Sequence, residues 1–216
     1  MIVAIDGGVA SGKSAVGKRV AEALGLPFVD SGLMYRAITR IAAERVIDPH
    51  DSDAITRLAE STDVRIDGER VWANAVELTD GIYDADYADA LPLISAIPGV
   101  RHALVAQQRR MGGAGGVVMA GRDIGTVVFP NADHKFFLVA SLDEKVRRRA
   151  TQFERRGERV DEEAMRKEVE ERDRVDTQRA VAPLRPAPDA VVIDTDHLDV
   201  DQVVDAILKH VEGRKK

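Results

Sequence analysis

The chain's 216 residues are enough for one sizeable domain with an inserted lobe. Hydrophobic residues make up 44% and aromatics only 4%, so the core is expected to be built from aliphatic side chains and alanine. A formal net charge of −6 argues against broad nucleic-acid binding but leaves room for a local basic pocket, and the absence of cysteine excludes disulfides, cysteine nucleophiles and thiolate metal sites.

Residues 1–6 have neither the charged start nor the long apolar run of a signal peptide, and residues 2–5 read as a short strand buried on both faces. A glycine-rich turn follows. Residues 13–24 then carry Val16, Val20, Ala21 and Leu24 at helical spacing, with Gly25 where a C-cap belongs. Residues 27–30 read as a second strand, with Asp30 or Ser31 capping a helix over about 33–45. The texture changes near Asp48. A short helix fits 51–60, and apolar–polar alternation around Gly68-Glu69 predicts a hairpin of 64–67 with 70–73. Two helices fit 86–96 and 99–111, broken at Pro98. We read 60–100 as the inserted material.

Buried-strand texture returns at 116–120, 135–139 and 190–193, separated by helical stretches at 143–154 and 161–177. An amphipathic helix over 198–211 closes the chain, with a solvated tail at 213–216. Short apolar strands alternating with helices predict an α/β fold with a parallel sheet. No stretch approaches the roughly 18–20 apolar residues that span a bilayer, so a cytoplasmic protein without a membrane partner is expected. The five histidines lack metal-ligand spacing and read as surface residues.

The turn after the first strand, Gly7-Gly8-Val9-Ala10-Ser11-Gly12-Lys13-Ser14, fits the phosphate-loop pattern G-x-x-x-x-G-K-S/T between a strand and a helix. Glycines let backbone N–H groups curl around phosphate oxygens, and the helix start adds its positive end. Lys13 supplies a compact charge for the terminal phosphates, and the Ser14 hydroxyl is the expected Mg²⁺ ligand. The pattern identifies a phosphate donor site and leaves the acceptor open. No N-K-x-D guanine reader is present, and the strands at 117–120 and 135–139 do not end in Asp, which weakens GTPase and motor ATPase readings. Residues 145–185 hold 11 Arg and 2 Lys against 10 acidic residues, a locally positive balance suited to phosphate oxygens. Within it Glu154, Glu158, Arg166 and Glu170 read as solvated ion-pairing residues, and Arg147, Arg148, Arg149, Arg172 and Arg179 as functional ones.

Four stretches carry a more specific signal. They are Ala4-Ile5-Asp6-Gly7 through Ser14, Asp30-Ser31-Gly32-Leu33-Met34-Tyr35-Arg36, Gly121-Arg122-Asp123-Ile124-Gly125-Thr126-Val127-Val128-Phe129-Pro130, and Arg172-Asp173-Arg174 to Asp176 followed by Arg179-Ala180-Val181-Ala182-Pro183-Leu184. With these motifs the chain resembles the bacterial cytidylate kinases, a nucleoside monophosphate kinase family, over nearly its whole length. The resemblance implies a P-loop three-layer fold with a five-stranded parallel sheet, built on a core of about 1–32, 97–144 and 161–216. It adds a monophosphate-binding lobe over about 33–96 and a mobile lid over about 145–160.

The resemblance further implies ATP-dependent phosphorylation of CMP, and of dCMP, with Mg²⁺, by a monomer. Lys13, Arg122, Arg179 and Arg148 would be catalytic, with Arg148 and Arg149 on the lid near the donor. Ser31 and Tyr35 would lie against the monophosphate nucleotide, Arg36, Arg122 and Arg179 would hold its phosphate, Arg172 and Asp176 would meet its sugar or phosphate, and Arg101 with Asp123 would read cytosine. The chemistry of the residues agrees, since Asp accepts from the cytosine N4 while Arg donates to N3 and O2. Plainer roles are a core ring at Tyr35, surface charges at Arg36 and Arg101, and an Asp123–Arg122 bridge. Asp6 and Asp30 stand between Mg²⁺ support and turn stabilisation. Two departures matter: Ala120 stands where the family commonly has an acidic residue, which makes Asp30 the candidate metal-supporting carboxylate, and Pro92 stands where it often has a base-contacting serine.

Overall fold

The computed structural model describes residues 1–84, 87, 89–113, 115–154, 157 and 160–213. Residue 86, where the helix expected over 86–96 begins, lies outside them, as do Glu158 with its expected solvated role, residues 155, 156 and 159 of the expected lid, and 214–216 of the tail. In chain order, β1 (Ile2–Gly7), α1 (Lys13–Leu24), β2 (Phe28–Asp30) and α2 (Ser31–Glu44) lead into α3 (Ser52–Glu60) and the strands β3 (Val64–Asp67), β4 (Arg70–Ala73) and β5 (Val76–Glu77). Next come α4 (Ala90–Ala96), α5 (Pro98–Gly112), β6 (Val117–Gly121), a single wide π-type turn over Ile124–Val128 and β7 (His134–Val139). The chain closes with α6 (Leu142–Glu154), α7 (Glu162–Gln178), β8 (Val191–Asp194) and α8 (Val200–Gly213).

Five parallel strands form the main sheet in the order β2-β6-β1-β7-β8. β1 is central and both its faces are buried. Val3 and Ile5 pack among Val16 and Val20 of α1 and Val204 and Ile207 of α8, while Ala4 faces Val29, Met119 and Ile124 on the other side. Period-two alternation between two covered faces yields the three layers. Gly17 on α1 is a close-approach position, since a Cβ there would come within 2.6 Å of the Phe28 ring. A separate apolar cluster running from Leu33 to Leu104 joins α2, α3, the antiparallel strands β3 and β4, Leu78 just past β5, α4 and α5. A smaller one, Val146, Met165 and Val169, unites α6 with α7 and packs against Val9 of the phosphate loop.

Two elements differ from expectation in kind. β5 adds a third strand to the hairpin through only two exposed residues, too short to carry an alternation. The π-type turn follows Asp123 directly, closes on the Asp123 and Ile124 carbonyls, and is anchored at its start by Asp6, described below. α2 also starts at Ser31, because the Asp30 side chain accepts from Gly32 N at 2.9 Å and caps the helix at once. The sheet register sets Asp6 beside Gly121 and Asp30 beside Ala120, so the loops leaving β1, β2 and β6 meet at one carboxyl edge, the usual place for ligands in such sheets.

Candidate active site

The phosphate loop is shaped from within. A Cβ on Gly7 would meet Ser11 Oγ at 2.5 Å and Leu138 O at 2.6 Å, and Gly12 has a φ of +88°, so both positions need glycine. Ser11 Oγ donates to Gly8 O at 3.0 Å, and Lys13 Nζ donates to the same carbonyl at 2.8 Å. Lys13 is buried, and burial, helped by the nearby Arg122 charge, lowers its pKa to about 7. Asp6 beneath the loop accepts from Ile124 N and Gly125 N, both at 2.7 Å, while burial raises its pKa to about 6 against those two bonds. Of the two roles open for Asp6, turn stabilisation is the one its bonds serve.

Ser14 Oγ donates to Asp30 Oδ2 at 2.6 Å, and both residues line the main cavity. A hydroxyl and a carboxylate side by side at a phosphate cradle are hard oxygen donors that fit Mg²⁺. Among the described residues no three His, Asp or Glu side chains gather as a metal site, so further ligands would be phosphate and water oxygens. Asp30 is also the carboxylate that stands beside Ala120 in the sheet.

The cavity measures about 680 Å³ and runs from the phosphate loop to α4. Asp176, on the inner face of α7, gathers three guanidinium groups. Arg122 Nε donates to its Oδ2 at 2.7 Å, Arg172 Nε lies 3.6 Å from Oδ2, and Arg179 NH1 lies 3.7 Å from Oδ1. Burial works to raise the Asp176 pKa, but the charges of Arg122, Arg172 and Arg179 outweigh it and hold the carboxyl below its usual range. Arg101 and Asp123 form a buried ion pair, and Arg101 also donates to Ser95 O at 3.1 Å. Arg179 NH2, 4.0 Å from Asp123 Oδ1, is buried without a hydrogen-bond partner, as are the Nε atoms of Arg149 and Arg172 and the Tyr35 hydroxyl. Unpaired cationic donors inside a cavity are places prepared for an anion.

The structure brings Lys13, Ser14, Asp30, Ser31, Tyr35, Arg36, Arg101, Arg122, Asp123, Arg149, Arg172, Asp176 and Arg179 onto this one cavity. Asp123 pairs with Arg101 and not with Arg122, which excludes the plainer bridge. Arg101 is buried, so the surface-charge alternative fails for it. Arg36 stacks over the Tyr83 ring, with 4.7 Å to its centroid. The Tyr35 ring is both core and wall: burial pushes its pKa up to about 12, and the Arg101 guanidinium sits 5.5 Å from its centroid. Ser31 Oγ already donates to Ala120 O at 2.8 Å.

Arg148 stands outside this cavity. It is held by Glu144 at 2.6 Å and by Thr195 O at 2.6 Å, with a terminal nitrogen 3.6 Å from where a Cβ on Gly12 would be. Arg147, read as functional, lies on the exposed face of α6 in a bidentate pair with Glu144. Polar residues at or near the loop and cavity that were given no role from sequence include Lys145, Asp173, Ser95 and Tyr83. Of these, Ser95 lies on the cavity one turn beyond Pro92 on α4 and donates to Pro92 O at 3.1 Å. Its signal was its i+3 position relative to that proline.

A phosphate loop facing a cavity lined by buried and half-buried arginines, on the carboxyl edge of a parallel sheet, defines a P-loop phosphotransferase. The fold alone is shared with a gluconokinase from Sinorhizobium meliloti 1021, with a TM-score of 0.51 and 14% identity over 99% of this chain and 95% of that one. It is also shared with an uncharacterized protein from Eubacterium ventriosum, with a TM-score of 0.55 and 15% identity over 98% of each chain. The family model for cytidylate kinase matches residues 3–213, and the chain belongs to the cytidylate kinase family. It is 44% identical over 216 residues to the cytidylate kinase of Geobacillus kaustophilus, covering 98% of this chain and 96% of that one. It is 39% identical over 218 residues to that of Bacillus subtilis, covering 99% and 97%. A bifunctional pantoate ligase/cytidylate kinase of Synechococcus sp. is 43% identical over 214 residues, covering 96% of this chain, which spans only 40% of that relative's length.

Proposed function

We propose that this protein transfers the terminal phosphoryl group of ATP to CMP, and to dCMP, giving CDP and dCDP by direct in-line displacement in pyrimidine nucleotide metabolism. The observation that carries the reading is the cavity itself. At one end it holds the loop with Lys13 and Ser14, at the other the Arg101–Asp123 pair, and between them Arg122, Arg172 and Arg179 around Asp176.

Two anionic nucleotides repel each other, and guanidinium groups converging from β6, α7 and the segment after it offset that repulsion while stabilising charge on the group in flight. Arg36 and Arg179 hold the acceptor phosphate, and Arg172 with Asp176 meets the sugar or the same phosphate. The adjacent acceptor and donor of Asp123 and Arg101 match the N4 amine and the N3 and O2 acceptors of cytosine. Uracil presents an acceptor where Asp123 needs a donor, and a buried group left unpaired is what makes rejection strong. Arg148, beside Gly12, and Arg149, on the cavity wall, belong to the donor side of a lid over about 145–160 that closes with the lobe over about 33–96. Ser14 and Asp30 would hold Mg²⁺, which when bound neutralises charge on the phosphate oxygens. The protein acts in the cytoplasm as a monomer. Among the described residues no helix is long and apolar enough to cross a membrane.

A coupled assay with Mg-ATP and CMP, dCMP, UMP or AMP tests the reading. CMP and dCMP should be phosphorylated far faster than UMP or AMP. ATP turnover that needs no monophosphate, with no CMP binding by calorimetry, would overturn it in favour of a nucleotide-dependent switch.

A further inference from the structure

One N–H of the phosphate loop already has an anionic partner. Val9 N donates to Asp173 Oδ1 at 3.2 Å, across from α7. The carboxylate can come this close because residue 8 is glycine: a Cβ there would lie 2.8 Å from Asp173 Oδ1. The other oxygen of Asp173 takes Lys145 Nζ of α6 at 2.6 Å, and both side chains are largely covered. No arginine of the cavity shares this pair, so neither residue belongs to the acceptor cluster around Asp176. The same two helices hold Val9 from below through Val146, Met165 and Val169.

An N–H has one hydrogen to give, and a carboxylate oxygen and a phosphate oxygen compete for it as like charges. We propose that Asp173 is a positioning residue that occupies part of the phosphate cradle as a resident anion and thereby sets the affinity for the donor. The incoming phosphate displaces it from Val9, and Lys145, released from Asp173, follows the phosphate. The inference rests on the reading that the loop receives ATP. It adds a residue on which donor affinity depends in the direction opposite to a binding contact. A carboxylate serving only as a strut for the loop gives the opposite sign, because weakening a strut weakens the site it supports.

Titration calorimetry with Mg-ATP on the full chain at fixed ionic strength separates the two. Asp173→Asn keeps the shape and an acceptor for Val9 N but removes the charge, and it is expected to bind ATP about tenfold more tightly. Asp173→Ser should shift the same way, and Lys145→Met, which leaves the carboxylate unneutralised, should bind several-fold more weakly. The affinity for CMP, measured alongside, should stay unchanged, and thermal melting checks that each variant is folded. Unchanged or weaker ATP binding by folded Asp173→Asn and Asp173→Ser overturns the inference. A wild-type protein that binds no ATP overturns the functional reading and this inference with it, a result distinct from equal ATP binding by wild type and variants.

Discussion

Lys13 rests on the Gly8 carbonyl, and its lowered pKa of about 7 leaves a large fraction of the ammonium neutral at physiological pH. A triphosphate entering the loop favours the charged form and raises that pKa again. Binding of Mg-ATP at pH 8 should therefore take up a proton, visible as a dependence of the binding enthalpy on the ionisation enthalpy of the buffer. The uptake should vanish at pH 6, where Lys13 is already protonated. Lys13→Met should remove it and lower kcat by about 10³-fold or more, since a transition-state cation is lost. Lack of buffer dependence at pH 8 in the wild type would refute the assignment. At the other end of the cavity, Asp123→Asn turns an acceptor into a donor at one position and leaves Arg101 buried without its counter-charge. CMP turnover should fall steeply while the ratio of UMP to CMP activity rises by about tenfold. Equal losses for both monophosphates in the competition assay would remove Asp123 from base reading.

The elements that build the site are tied by Asp6. At the end of β1 it accepts from the first two residues of the π-type turn and so fixes where Arg122 and Asp123 leave β6. Its raised pKa of about 6 means that the folded protein holds a proton more firmly than the unfolded chain between about pH 4 and 6. The contribution is fully present below the unfolded pKa and is lost as pH rises through the folded one. Wild type compared with Asp6→Asn by urea unfolding should thus be relatively more stable at pH 4 than at pH 7, and a difference independent of pH would contradict this. The strands and helices of the core were legible in sequence because each carries its own apolar period and cap: Val3 and Ile5 alternate with Ala4, and Gly25 ends α1 in a left-handed turn at φ +64°. The π-type turn was not, because the bond that anchors its first residue, Ile124, is accepted by Asp6, 118 residues earlier. β5 was not, because its two residues have no buried face to pattern. At the site, the glycine spacing and the arginine-rich stretches marked residues that line the cavity, but the pairing of Arg122 with Asp176 and of Arg101 with Asp123 joins residues 54 and 22 positions apart. No local spacing encodes it. The same distance hid Asp173, which meets Val9 across 164 residues.

At the scale of the molecule, a chain with a net charge of −6 brings Arg36, Arg101, Arg122, Arg149, Arg172 and Arg179 onto one cavity, which is shared by the phosphate loop and the Arg101–Asp123 pair. The turn between β3 and β4 lines this cavity with Gly68 and Glu69, and Glu69 meets Lys18 of α1 at 2.6 Å. Solvent screens that exposed pair, so it adds little to holding the turn against α1. A single continuous cavity makes a quantitative demand. An adenosine and a cytidine joined through a chain of phosphates occupy both ends at once, so the second end binds at the high effective concentration set by the first. Such a linked ligand should bind about 10²- to 10⁴-fold more tightly than ATP or CMP alone. Because the linking phosphates lie among Arg36, Arg122, Arg172 and Arg179, its affinity should also fall more steeply with added salt than that of either single nucleotide. Calorimetry of the three ligands at low and high salt reads both effects. A linked ligand that binds no better than CMP would mean that the two ends of the cavity do not receive nucleotides together, and the arginines between them would then need a different explanation.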